Sequence, residues 1–274
     1  WVMTFSTPKK SYQNLLLIKG IQMYEIEQGE LPQEFTFAWQ CAGQHIQKMG
    51  QEGVHWLRAN LNPPIAEHLS FRLGNQLIFV YVDVDVLPFI GKRKDLFLSV
   101  AREATAIPCL LRMEYSGGTF VPSYSGWGLV DAITGKFVNP ADMVSNECIE
   151  MSDWELHDFS IQVVRKHLEN DGKKVLSMQS TLHIDPSIWF EDKNGLSWVV
   201  VRAARFPKKK ADRPANLDDI KKSCFRISRV GFFASVLVAN ADDPFDPFAE
   251  KNGNFIPLYR GYGISVSFKG VEPI

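Results

Sequence analysis

The sequence predicts an α/β protein with mixed α+β sheets, built from two tandem copies of one α-β-β-β-α-β-β unit. Three observations support this prediction: a decapeptide that occurs twice, two amphipathic helices that align with each other, and two nearly continuous β-branched runs. The decapeptides are FVPSYSGWGL at 120–129 and FIPLYRGYGI at 255–264. Five blocks of similarity follow the same order in both copies, which indicates an internal duplication.

Composition narrows the class of protein. The chain has 274 residues, of which 45% are apolar and 22% charged, so it can bury a substantial core. A formal net charge of −1 provides no general attraction to nucleic acid or to an anionic membrane. Four widely separated cysteines predict a reducing, cytoplasmic location and no structural zinc. No apolar run is long enough to span a bilayer, so we expect no membrane partner.

Each copy is predicted to begin with a helix. Residues 34–49 and 154–170 carry apolar positions at helical spacing, and Gly50 and Gly172 follow them as C-caps. The two helices share a phenylalanine, a glutamine and a histidine at matching positions. The histidines, His45 and His167, flank the apolar face, and we interpret them as packing residues.

Short strands follow each helix and lead to a buried one. The runs LIFVYVDVDV (77–86) and WVVVRA (198–203) are typical of strands that are covered on both faces. Aligning Gly74 with Gly195 places Tyr81 opposite Arg202.

The remaining elements follow the same order in both copies. A helix comes next, preceded in the second copy by Asn216 as a candidate N-cap. Buried strands at 107–114 and 231–239 follow, and the decapeptides close each copy as an aromatic strand. The stretch 244–254 is polar and turn-rich, which predicts a loop.

These elements define the predicted domains. Residues 1–30 form an extension that packs on the first copy, 31–145 form the first repeat domain, and 150–274 form the second. Symmetric interfaces are common between identical folds, so we expect the two copies to pair about a pseudo-twofold axis.

The order of elements resembles the core of the restriction-endonuclease-like, or PD-(D/E)xK, superfamily. The segment DPSIWFEDKNGLSWVVVRAAR (185–205) carries most of the resemblance. In that family an Asp at the start of one strand and a Glu/Asp-x-Lys on the next hold a divalent cation that activates water.

The metal-binding residues of that family are only partly present in this sequence. Asp185 matches the first carboxylate, whereas Val200 takes the acidic position and Arg202 the lysine position. In the first copy the corresponding positions are Pro63, Phe79 and Tyr81; a register that used Asp83 and Asp85 is disfavoured by the alignment with Arg202. The resemblance therefore implies degenerate units without a cofactor or metal site. The alternative is Mg²⁺ held weakly, because one carboxylate leaves a hard cation short of ligands.

Two basic loops occupy matching places after the central strands. Lys208, Lys209 and Lys210 lie in one loop, and Lys92, Arg93 and Lys94 lie in the other. They predict either phosphate contacts or solvated loops. Tyr124 and Tyr259 of the decapeptides predict either a binding surface or buried anchors.

The sequence therefore favours a non-catalytic binding or assembly protein whose partner is a nucleic acid or another protein. One alternative is a metal-dependent nuclease that uses Asp185 with Glu191 or Asp192, helped by Arg202. A second alternative is a module that binds only proteins.

Overall fold

The fold is taken from a computed structural model of the chain. It describes residues 32–59, 68–87, 89 and 91–274, together with the backbone of residues 17–18 and 21–22. Those four residues form a short antiparallel ladder of β1 (Leu17–Ile18) and β2 (Ile21–Gln22). The packing predicted for 1–30, and position 63, lie outside the described residues.

From residue 32 onward, the described part of the first half comprises three α-helices and seven strands. In chain order they are α1 (Gln33–Gly50), β3 (Val54–Arg58), β4 (Leu69–Leu73), β5 (Gln76–Asp83), α2 (Gly91–Glu103), β6 (Ile107–Ser116), β7 (Thr119–Pro122), β8 (Leu129–Asp131), β9 (Phe137–Val138) and α3 (Pro140–Met143).

The second half comprises three helices and six strands. In chain order they are α4 (Asp153–Asn170), β10 (Lys174–Met178), β11 (Ile188–Asp192), β12 (Gly195–Arg205), α5 (Leu217–Cys224), β13 (Gly231–Asn240), α6 (Pro247–Asn252), β14 (Ile264–Phe268) and β15 (Glu272–Pro273). The short helix α6 lies where the sequence predicted a loop, because Asp246 caps its N-terminus and Pro247 fits its first turn.

The two halves contain sheets that share a core topology, although the first has seven strands and the second has six. The orders are β3-β4-β5-β6-β8-β9 and β10-β11-β12-β13-β14, with β7 beside β6 and β15 beside β13. In each sheet three antiparallel strands are followed by a crossover helix and a parallel strand. The predicted α/β class with mixed sheets is confirmed.

Helices cover both faces of each sheet, which explains the nearly continuous apolar central strands. In the first half Ile78, Val80 and Val82 pack with α1, whereas Leu77, Phe79 and Tyr81 pack with α2. The second half repeats this arrangement with α4 and α5 on opposite faces of β12. A strand that is buried on both faces needs apolar side chains at every position.

The strand register differs by two residues from the predicted alignment. Leu69 begins β4 and pairs with Val80, and Ile188 begins β11 and pairs with Val199, so Val80 is the counterpart of Val199. Three residues further along each strand, Asp83 and not Tyr81 is the counterpart of Arg202. A bulge at matching places in β3 and β10 supports this register. The two glycines misled the alignment, because Gly74 lies in a turn and Gly195 begins a strand. A shift of two residues keeps every side chain on its face.

The repeated decapeptides lie in unlike surroundings. Phe120 lies in β7 with 6% of its surface exposed and packs edge-on against Phe37. Phe255 is 42% exposed and lies in the irregular segment before β14. The prediction that both decapeptides form an equivalent aromatic strand is therefore wrong. The shared topology depends on the strands instead.

No described helix combines the length and the apolar character needed to cross a membrane.

The two halves contact each other through the start of α4. Trp154 is fully buried in the first half's core, with its ring centroid 4.7 Å from that of Phe79. The hydrophobic clusters of the second half contain no residue of α1. Different elements therefore meet across this interface, and the arrangement is head to tail rather than the pseudo-twofold pairing that the repeat predicted.

Candidate functional site

Asp185 and Arg202 form a bidentate ion pair near the C-terminal end of β12, the central strand of the second sheet. Asp185 precedes β11, and its carboxylate is almost fully buried. The Arg202 Nη1 and Nη2 atoms donate to its two oxygens at 2.9 and 2.6 Å. This is the bidentate geometry that planar guanidinium groups favour. Both oxygens of the predicted metal carboxylate are therefore engaged by a cation of the chain.

A second buried pair lies across the boundary between the halves. Arg58 of β3 donates to Asp158 of α4 at 2.5 Å, and Ser180 donates to the same oxygen at 2.8 Å. Arg58 also lies over the Trp154 ring at 5.4 Å. This cluster joins charge pairing to the aromatic contact between the halves.

His157 and His68 are buried beside these arginines. Burial first, then Arg202, Arg58 and His183, lower the pKa of His157 to about 3. Burial and Arg58 hold the pKa of His68 well below its ordinary value. Both imidazoles are therefore neutral at physiological pH. Burial and the nearby Asp185 raise the pKa of the Cys224 thiol to about 12, so this cysteine is not a nucleophile.

The first half has a comparable arrangement at the end of β5. Arg112 of β6 donates to Asp83 at 3.1 Å and also pairs with Asp85. Asp83 accepts in addition from the backbone N–H of Phe89. These hydrogen bonds, led by that to Asp85, raise the pKa of Arg112. In both halves an arginine therefore binds the carboxylates beside the central parallel strands, which is where open α/β sheets bind ligands.

The other proposed metal ligands lie far from Asp185. Glu191 and Asp192 end β11 at its turn to β12, whereas Asp185 lies before the start of the same strand. Seven positions along extended chain correspond to roughly 20 Å. Asp192 also accepts from the backbone N–H of Asn194 and so stabilises the turn. Within the described residues no three potential metal ligands of the His, Cys, Asp and Glu types come together.

The second basic loop in chain order carries Lys208, Lys209 and Lys210, and all three lysines are paired with carboxylates. Lys208 binds Asp212, Lys209 binds Glu250, and Lys210 binds Glu272. Arg213 shares Glu272. Hydrogen bonds from Lys210 and Arg213 lower the pKa of Glu272. Three carboxylates therefore offset most of the loop's positive charge.

The first basic loop opens α2. Arg93 and Lys94 are exposed in the first turn of this helix, and Lys94 lies 5.9 Å from the centroid of the Phe89 ring. The side chain of Lys92 lies outside the described residues. Basic side chains at a helix N-terminus repel its positive dipole end, so their position is not explained by helix stability.

The two tyrosines have different environments. Tyr124 is 46% exposed, packs edge-on against Phe137, and lines a cleft of about 370 Å³ with Asp83, Arg112 and Glu114. Tyr259 is half-buried beside Tyr262 and forms a bridge to Glu150. Only Tyr124 therefore borders a cleft near the charged pairs.

The sequence predictions missed Arg260, which connects the two halves. It is 4% exposed, and its Nη2 donates to Glu155 at 2.8 Å and to the Ala104 carbonyl at 2.9 Å. It also bonds Thr105. The available signal was its place inside the repeated decapeptide, where the first copy has Ser125.

The comparisons with known proteins match only the second half. A family described as a domain of unknown function (DUF8840) matches residues 154–274, less than half of the chain. No curated protein and no solved structure matches the chain. The matched range begins at Trp154, the residue that enters the first half's core.

Proposed function

We propose that this protein is a non-catalytic binding or assembly protein made of two divergent nuclease-like units. The observation that carries the proposal is the pairing of Asp185 with Arg202, together with that of Asp83 and Asp85 with Arg112. In each half a guanidinium binds the carboxylates beside the central strands.

This pairing disfavours hydrolysis for a physical reason. A divalent cation would have to displace Arg202 from both oxygens of Asp185, and it would then find Val200 at the second acidic position. A hard cation needs several oxygen ligands, which one carboxylate cannot supply. The chain's own arginines instead provide fixed positive charge that cannot activate water.

The predicted internal duplication fits the nuclease-like assignment, and two similarities between the halves support it. Both halves have the element order on which the resemblance was based, and their strand registers match at the bulge and at the central pair of strands. Descent from one ancestral unit accounts for both similarities.

A protein partner is better supported than a nucleic acid. Phosphates that bind the second basic loop would have to compete with Asp212, Glu250 and Glu272 for its lysines. Exposed ion pairs are weak enough to exchange, so this competition lowers affinity without abolishing it. Exposed apolar side chains offer an alternative surface.

The decisive test is cleavage of plasmid DNA and of RNA oligonucleotides with Mg²⁺ or Mn²⁺. We expect no cleavage by the wild-type chain. Metal-dependent cleavage that disappears in Asp185→Asn, a variant verified as folded by circular dichroism, would overturn the proposal.

A parallel binding assay separates the partners. We expect DNA binding to be weak and to change less than threefold when Lys208, Lys209 and Lys210 are replaced by Glu. A loss of tight, salt-dependent binding in this triple variant would establish nucleic acid as the partner.

A further inference from the structure

The interface inside the chain leaves one equivalent surface uncovered on each half. It joins the start of α4 to the connection between α2 and β6, where Arg260 binds Ala104 and Thr105. A head-to-tail contact uses two different surfaces, so each unit keeps one surface that the other does not cover. In this chain the uncovered surfaces are the connection after α5 and the start of α1.

The connection after α5 is apolar and exposed. Residues 225–230 link α5 to β13, as residues 104–106 link α2 to β6. Phe225, Ile227 and Val230 are 43%, 41% and 45% exposed. Trp198, the counterpart of Phe79, is fully buried beneath this connection, and its Nε1 donates to the Ser228 carbonyl at 3.0 Å. The exposed side chains of the connection form the surface that a partner would cover.

The same connection carries two arginines. Arg226 and Arg229 alternate with the apolar residues and are exposed. Neither guanidinium forms an ion pair with a residue that the structure describes. The segment therefore suits a partner that is both apolar and acidic.

The start of α1 has this complementary chemistry. A groove of about 450 Å³ is lined by Gln33, Glu34, Phe37, Tyr115 and Phe120. Phe37 is 40% exposed and Tyr115 is 64% exposed. Glu34 is exposed and supplies a negative charge at the rim of this groove.

We propose that copies of this chain associate head to tail, with the connection 225–230 of one copy docked on the start of α1 of the next. The inference rests on the proposed function, because it names a second copy as the partner of an assembly protein. The two proposals fail separately: metal-dependent cleavage would overturn the first, whereas a monomeric chain would overturn the second.

Charge reversal at each surface tests the proposal by sedimentation velocity. Interfaces that bury little surface are weak, so the average mass is measured at protein concentrations from about 5 to about 200 µM. We expect the average mass of the wild type to rise beyond that of a dimer, because a head-to-tail contact does not end at two copies. Lys166→Glu, an exposed change on α4, is the matched control and should behave like the wild type.

Two blocked variants give the sharpest result. The Arg226→Glu/Arg229→Glu variant and the Glu34→Lys variant should each remain monomeric. An equimolar mixture should associate again, because the intact start of α1 on one variant meets the intact connection on the other, and the reversed charges of the two blocked surfaces also complement each other. A monomeric wild type, undiminished association of Glu34→Lys, or a mixture that stays monomeric would each overturn the proposal.

Discussion

At the scale of single residues, arginines decide the chemistry of both sheets. Arg202 and Arg112 use their planar donors to bind carboxylates that would otherwise be free to ligate a cation. Arg260 and Arg58 also bind carboxylates, and they connect the halves. Arg202 binds both oxygens of Asp185, and because a lysine could not donate two parallel hydrogen bonds, Arg202 is not interchangeable with it.

The Asp185–Arg202 pair should stabilise the second half. Arg202→Ala leaves a carboxylate that is 4% exposed without its cation, and we expect the free energy of unfolding to fall by about 3 kcal/mol. Lys208→Ala removes a pair whose side chains are 65% and 85% exposed, and it should cost under about 0.5 kcal/mol. Urea unfolding followed by tryptophan fluorescence measures both. Equal losses would show that the pair is not structural.

The buried histidine His157 should make stability depend on pH. Its pKa is about 3 in the folded chain and about 6.5 when unfolded, so the unfolded chain binds more protons between these values. Its contribution is complete above pH 6.5 and is lost as the pH falls toward 3, by an amount on the order of 4 kcal/mol.

The variant His157→Gln cannot be protonated at this position and should reduce this dependence, whereas the buried His68 keeps a contribution of the same sign. His55→Gln alters an exposed histidine and is the control, which should keep the wild-type slope. Urea unfolding at intervals between pH 7 and pH 4 gives the comparison. A wild-type slope in His157→Gln would contradict the assignment of the pKa shift.

At the scale of elements, the two decapeptides are similar in sequence but differ in structure. Phe120 belongs to a strand and a core cluster, whereas Phe255 lies in irregular chain. We expect Phe120→Ala to lower the free energy of unfolding by about 3 kcal/mol and Phe255→Ala by about 1 kcal/mol or less. Thermal unfolding of both variants measures the difference. Equal losses would indicate that the two segments pack alike.

Local patterns predicted the helices and central strands well, because their periods depend on nearby residues. The helix predicted at 154–170 is Asp153–Asn170, and the strand predicted at 77–86 is Gln76–Asp83. The register of the halves was missed because a two-residue shift preserves the pattern of buried and exposed positions. The partners of Asp185, Lys209 and Lys210 were missed because those contacts join residues distant in sequence.

At the scale of the whole molecule, one interface couples two similar sheets. Trp154 supplies buried apolar surface, and Arg260 pairs with one oxygen of Glu155 in its own half while donating to the carbonyl groups at the end of α2. The second half thus places a cation and an indole against the first. Since a buried ion is costly when unpaired, the contact is specific as well as stabilising.

Removing Arg260 should uncouple the halves. Arg260→Ala leaves the fully buried Glu155 without its ion pair, and we expect a loss of about 3 to 5 kcal/mol. Calorimetry should then resolve two unfolding transitions where the wild type has one, because each sheet retains its own core. Arg205→Ala is the matched control: this arginine contacts Glu150, Met151 and Asp153 beside its own half, and the variant should keep a single transition. A single transition in Arg260→Ala would mean that Trp154 and the Arg58–Asp158 pair are sufficient to couple the two sheets.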